Sequence, residues 1–347
     1  MDENRNTPAA PVAPPAAPGD WYRSSAAPGP APAAQYAPPA APGPAPGAQY
    51  PMPGMRPPAP AKPRKAIRHM IWAVCLIALG LLLVGEITGE IGQGIIVGLF
   101  NVTDGPTLFL FMYLSFLGID AAVLVYTFFC ERPVFRSFGL RGPNGGRGNT
   151  WGMFGLGLLV GFGMNALCIL AAWLHGDLEL SVGEFHPGYL FFGIICVCVQ
   201  SGAEELLTRG YMMGAISERY NVWIAAAVNS LFFGALHLTN PGVTVLSLVN
   251  IVAFGFALSI VMIKLESMWF CVAVHTAWNY SQSLFFGLPN SGIVSEGSFM
   301  HLEAARDSGL YSAAFGVEGA ITTTLVLLVL ALAVLLIARF RRSRSAG

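Results

Sequence analysis

The sequence predicts an all-α, polytopic membrane bundle of about eight transmembrane helices, because apolar runs recur at roughly the 20-residue length a helix needs to cross hydrocarbon. Composition is the second reason. Of 347 residues, 54% are hydrophobic and only 11% charged, against about 25% charged in a soluble domain. The third is that polar/apolar alternation of period two is missing, which excludes a transmembrane barrel. The formal net charge is zero and no basic patch with interleaved aromatics occurs, so nucleic acid is excluded as a partner.

Residues 1–63 are rich in Pro, Ala and Gly, and AAPGPAPAAQY (Ala26 to Tyr36) recurs as AAPGPAPGAQY (Ala40 to Tyr50). Such a segment buries too little apolar surface to fold and reads as a disordered, partly polyproline II cytoplasmic tail, either a spacer or a docking strip for a partner. The membrane bundle follows over 64–340. Its first span runs from about Met70 to Val84, with a continuation to Phe100 that passes Glu86 and Glu90. These two lie four apart and repel. They either line a cavity or, as read here, lie exposed near a helix end.

Further spans read as Thr107 to Phe129, Trp151 to Leu174, a fourth through Tyr189, Val222 to Leu238, Val243 to Ile263, Met268 to Leu288 and Ala320 to Ala338, before a basic tail at 341–347. Gly157 and Gly161 form a small-xxx-small pair for a close helix contact. Lys and Arg collect before the first span, between the second and third, around Arg209 to Arg219, at Lys264 and after the last span. Those loops alternate, so the positive-inside rule places both termini in the cytoplasm of a multi-pass cell membrane protein. The six cysteines fall in or beside apolar runs and read as packing residues. His69, His175, His186 and His301 read as solvated or interfacial.

Charge inside the spans carries the functional signal. The run YLFFGIICVCVQ leads without a helix stop into SGAEELLTRGY, placing Glu204, Glu205 and Arg209 within a membrane helix. Each such charge costs roughly 2.5–3.5 kcal/mol near the bilayer centre and needs a partner, a cavity or a task. Glu205 and Arg209 are four apart in the favourable order for an ion pair. Glu204 lies about 100° round the axis and is left for chemistry. Two later spans carry Phe233 with His237 and His275 with Asn279, again at i, i+4, so each pair shares a helix face. Axial positions put all of these groups at compatible depths.

Glu204-Glu205 with Arg209, Phe233 with His237, and His275 with Asn279 resemble the three motifs of the CPBP intramembrane endopeptidases, the CAAX-processing and bacteriocin-processing (ABI) family. The likeness covers about 151–288. One departure is Thr208, where the family often has an aromatic before the arginine. The resemblance implies a CAAX-prenyl-protease-like hydrolase, with Glu204 activating water and His237 helping to hold it. His275 and Asn279 would donate toward the oxyanion, and Glu205 with Arg209 would brace the site. Its substrate would be a membrane-associated, lipidated or leader-bearing protein or peptide in the bilayer.

The resemblance favours a site without a cofactor. A metalloprotease-like alternative would use zinc or another divalent metal on His237, His275 and Glu204, although the HExxH arrangement is missing. Two rivals stay open. One is a non-catalytic scaffold or bacteriocin-immunity protein of the same fold. The other is an ion-coupled transporter, which would predict broken helices in two related halves.

Overall fold

The computed structural model of the protein describes residues 66–132, 134, 148–182, 186–295 and 297–345. The expected N-terminal tail therefore lies outside the described residues. Helix dominates because in lipid each backbone N–H and C=O must find its partner within its own segment. α1 (Ile71–Phe100) is one helix of 30 residues, about 45 Å long at 1.5 Å per residue. It stops where Asn101 turns left-handed at φ 48°. α2 (Gly105–Ser115) starts at Asp104, whose carboxylate accepts the Thr107 N–H at 2.9 Å. It passes through Phe116 into α3 (Leu117–Cys130).

α4 (Trp151–Leu174) starts on the hydroxyl of Thr150, which accepts the Met153 N–H at 3.1 Å. α5 (Pro187–Ser217) is continuous through the charged cluster. α6 (Val222–Ala235) is capped by Asn221, and α7 (Val245–Leu265) opens on a capping box between Thr244 and Ser247. α8 (Met268–Tyr280) widens into a π-helical turn over Ser281–Phe285. α9 (Ile321–Ser345) carries all four basic C-terminal residues within its last turns.

Helices occupy all eight predicted positions, but six of those spans are long and apolar enough to cross a membrane: α1, α2 with α3, α4, α5, α7 and α9. The chain is a multi-pass membrane protein. α6 has only 14 residues, because the chain turns out of it through Pro241 and a left-handed Gly242. α8 has 13 before its turn widens. A two-stranded antiparallel sheet was not expected: β1 (Leu178–Val182) pairs with β2 (Met300–Ala304), Leu180 opposite Leu302. Strands of five residues inside loops are too short to leave a readable alternation.

Beside the sheet, Asp177 ties the end of α4 to the long loop before α9. Its carboxylate accepts from Arg306 Nε at 2.7 Å, Ser308 Oγ at 2.5 Å and His175 Nδ1 at 3.0 Å. Burial alone would push its pKa up, but these hydrogen bonds outweigh burial and hold it at about 2. A depressed carboxylate contributes stability that is complete above its unfolded value of about 3.9 and is lost as pH falls toward the folded value. Protease nicking of the loop at 305–313 is therefore expected to rise between about pH 4 and pH 2. Asp177→Asn should raise nicking at neutral pH and flatten that dependence; an unchanged profile would contradict the clasp.

Glycines set the closest helix contacts. A Cβ on Gly157 would meet Ala273 and Phe270, and one on Gly161 would meet the Val274 backbone. The small-xxx-small pair thus seats α4 directly on α8. Overfilling such a contact costs about 1–3 kcal/mol, so Gly161→Leu should lower the unfolding free energy in detergent by that amount. Gly163→Ala, which points into open space, should change stability by less than about 0.5 kcal/mol.

Candidate active site

The second half of α5 supplies the charged side chains, and the helix widens to a π turn over Leu206–Met212, immediately after the two glutamates. Such turns recur at functional sites. Glu205 is fully buried. Its Oε1 accepts from Arg209 Nη1 at 3.0 Å and from His275 Nδ1 at 3.0 Å. Arg209 is also fully buried, with its guanidinium 4.8 Å over the Phe233 ring. Gly255 leaves room for it, since a Cβ there would lie 3.0 Å from Nη2. Thr208 ties the guanidinium to the backbone: its hydroxyl accepts from Arg209 Nη1 at 2.7 Å and donates to the Glu204 main-chain carbonyl at 2.5 Å.

Glu204 faces the other way. Its Oε1 accepts from Gln200 Nε2 at 2.7 Å, and its Oε2 lies 3.5 Å from His275 Nε2. The two ring nitrogens of His275 therefore address the two adjacent carboxylates. The ring stands edge-on to Phe254 and Phe233, at 5.2 and 5.9 Å between centroids. Asn279 Nδ2 donates to Gln200 Oε1 at 3.1 Å, so Gln200 bridges Asn279 to Glu204. His237 is held differently, its Nδ1 donating to the Phe233 carbonyl at 2.9 Å. That bond fixes the proton on Nδ1 and leaves Nε2 an acceptor in the neutral ring.

Glu204, His237, His275 and Asn279 all line one cavity of about 350 Å³, together with Gln200 and Phe233. Glu205 and Arg209 stand behind this wall. Of the two cavity imidazoles, His275 approaches both acids, whereas His237 shares the cavity with Glu204 and bonds to backbone.

Three cavity residues were missed or misplaced by sequence reasoning. Gln200 had a signal, its i, i+4 spacing to Glu204. Glu318 had none: it lies in the 3-10 turn Val317–Gly319, where it accepts from Trp278 Nε1 at 3.0 Å and Gln282 Nε2 at 2.5 Å. Glu86 is exposed as expected, but it sits midway along α1, at the rim of the same cavity, rather than near a helix end. His69 is likewise held, 3.1 Å from Glu131, and His175 belongs to the Asp177 clasp.

The metalloprotease-like alternative is not supported. Among the described residues no group of three His, Cys, Asp or Glu side chains is placed to hold a metal ion. His275 has its Nδ1 on Glu205 and its Nε2 toward Glu204, and His237 does not converge with them.

The protein is thus a helical, multi-pass membrane protein with acid, imidazole and amide groups gathered around one internal cavity. Residues 186–281 match the family model described as type II CAAX prenyl endopeptidase Rce1-like. Over those residues the chain is similar to that family of CAAX-type endopeptidases, and the match covers less than a third of its length. The matched segment contains Glu204, Glu205, Arg209, Phe233, His237, His275 and Asn279, and leaves α1 to α4 and α9 outside. No curated protein and no solved structure matches the chain.

Proposed function

We propose that this protein hydrolyses a peptide bond of a membrane-associated, lipidated or leader-bearing protein or peptide, with Glu204 as the general base. The observation that carries this reading is the pairing of Glu204 with His275, whose far nitrogen is held by buried Glu205. Glu204 takes a proton from water, and the resulting hydroxide forms the new C–O bond to the scissile carbonyl. His237 Nε2 accepts a hydrogen bond from the same water and orients it. The oxyanion receives hydrogen bonds from Asn279 and from protonated His275. Glu204 then returns its proton to the amine nitrogen as the C–N bond breaks.

Glu205 and Arg209 position this machinery. Glu205 accepts the Nδ1–H of His275, which directs Nε2 to the cavity, and Arg209 compensates the buried charge. The basic flanks of alternate loops support a topology with both termini cytoplasmic. The test compares membrane peptidomes of a null strain carrying the parent chain or Glu204→Gln. The expected result is a set of cleaved peptides present only with Glu204. Identical peptidomes would contradict the hydrolytic reading and favour a scaffold.

A further inference from the structure

Glu318 is a buried carboxylate that the hydrolytic reading does not use. It lies in the 3-10 turn Val317–Gly319, outside the membrane spans and outside the matched residues 186–281, and is 6% exposed. Three neutral donors converge on it. Trp278 Nε1 donates to its Oε1 at 3.0 Å, while Gln282 Nε2 at 2.5 Å and the Ser291 N–H at 3.4 Å donate to its Oε2. Such donors offset the hydration that a carboxylate loses on burial. Both oxygens are thereby engaged, which suits holding rather than proton transfer.

The donors matter because of where they sit. His275, Trp278 and Asn279 fall at i, i+3 and i+4 of α8, so they share one face, and Gln282 continues that face into the π turn. Two residues held by Glu318 are thus interleaved with the two that the proposed reaction places at the oxyanion. The Trp278 ring passes the restraint on, since its centroid is 5.8 Å from that of Phe254, which is 5.2 Å from that of His275. The hub is itself anchored. Gln282 Oε1 accepts from Asn165 of α4 at 2.7 Å, and the Glu318 carbonyl accepts from Asn250 of α7 at 2.8 Å. The chain comes this close because Gly316 takes φ 92°, where a Cβ would meet the Pro289 carbonyl and Gln282 Nε2.

We propose that Glu318 is a positioning residue for hydrolysis: through Trp278 and Gln282 it fixes the end of α8, and with it the aim of His275 and Asn279 at the oxyanion. The inference rests on the hydrolytic reading for the oxyanion, and on the hydrogen bonds alone for the restraint on α8. Misplacing a reacting geometry by about 1 Å costs up to about a hundredfold in rate. Donors to an oxyanion act in the transition state, so the loss belongs to kcat rather than KM.

The test uses the full chain in phosphatidylcholine nanodiscs and a quenched fluorescent peptide spanning a site cleaved only with Glu204 in the peptidome comparison. Glu318→Gln should lower kcat per folded molecule about tenfold, the size of one charge-assisted contact, with KM within about twofold of the parent. Trp278→Phe, which keeps a ring but removes the indole N–H, should do the same. The double variant should be no worse than either single, because both break one bond. Asp177→Asn, which loosens the same outer loop away from α8, should keep the parent kcat. Parent kcat in Glu318→Gln, losses that multiply in the double variant, or an equal loss in Asp177→Asn overturns the proposal. If Glu318→Gln does not fold, Trp278→Phe decides alone, and its retention of parent kcat overturns the proposal. Hydrogen exchange separates the two readings. Glu318→Gln, or Trp278→Phe in its place, should speed exchange of amides 278–293 at least about threefold while α5 keeps its protection; unchanged exchange overturns the restraint on α8. If the parent chain cleaves no peptide, the hydrolytic reading fails and the restraint is judged by exchange alone.

Discussion

Glu204→Gln is expected to lower peptide hydrolysis by about a hundredfold to ten-thousandfold, the range for losing one positioned acid–base group. The variant should unfold near the parent temperature. Glu204 is the less buried of the adjacent acids, 16% exposed at the side chain against 0% for Glu205. Its contacts are a hydrogen bond from Gln200 and the approach of His275, and an amide of the same shape keeps an acceptor for the first of these. The loss should fall on kcat, because the proposed role of the residue is to act on water rather than on the ground-state peptide. A variant that loses activity and folded protein together would show that Glu204 is structural.

Arg209→Leu should have the opposite signature, a large loss of stability. Removing one partner of a buried ion pair costs about 3–5 kcal/mol, because the other charge stays in a low-dielectric interior. Glu205 would keep only its bond to His275. Replacing both members, Glu205→Leu with Arg209→Leu, should recover most of that loss, since apolar groups of similar size tolerate such a site. The double variant should nevertheless remain inactive, because nothing would then orient Nδ1 of His275. Reversible unfolding in mixed micelles measures the first expectation, and a single-variant loss below about 1 kcal/mol would contradict the burial of an ionised pair.

These contrasts show what the sequence could and could not reveal. Charged residues in an apolar run are conspicuous because their cost in lipid is so high, and i, i+4 spacing assigns them to faces without knowledge of the fold. That is why Glu204, Glu205, Arg209, His275 and Asn279 were legible one by one. The orientation of the acids followed from the same angular argument, Glu205 toward Arg209 and Glu204 away from it.

What depended on long-range packing was not legible. Glu318 reaches the cavity only because the loop before α9 folds back over Trp278 and Gln282. Glu86 reaches the cavity only because α1 packs beside α2, which its spacing to Glu90 does not encode. The π turns after Glu205 and Tyr280, and the pairing of two five-residue strands 120 residues apart, likewise leave no periodic trace. The shortness of α6 and α8 was hidden by apolar residues that continue past their ends.

The central claim is that the Glu204 carboxylate meets water inside the membrane. It is tested most directly by placing a single cysteine there, Glu204→Cys, in a chain whose six native cysteines are replaced, and reconstituting it in sealed vesicles. A small, water-soluble cationic thiosulfonate should label this thiol, and should do so faster than a thiol on the lipid-facing side of α5 such as Phe191→Cys, at a position that is 71% exposed. Labelling of the Glu204→Cys thiol only by a lipid-soluble maleimide would contradict the account.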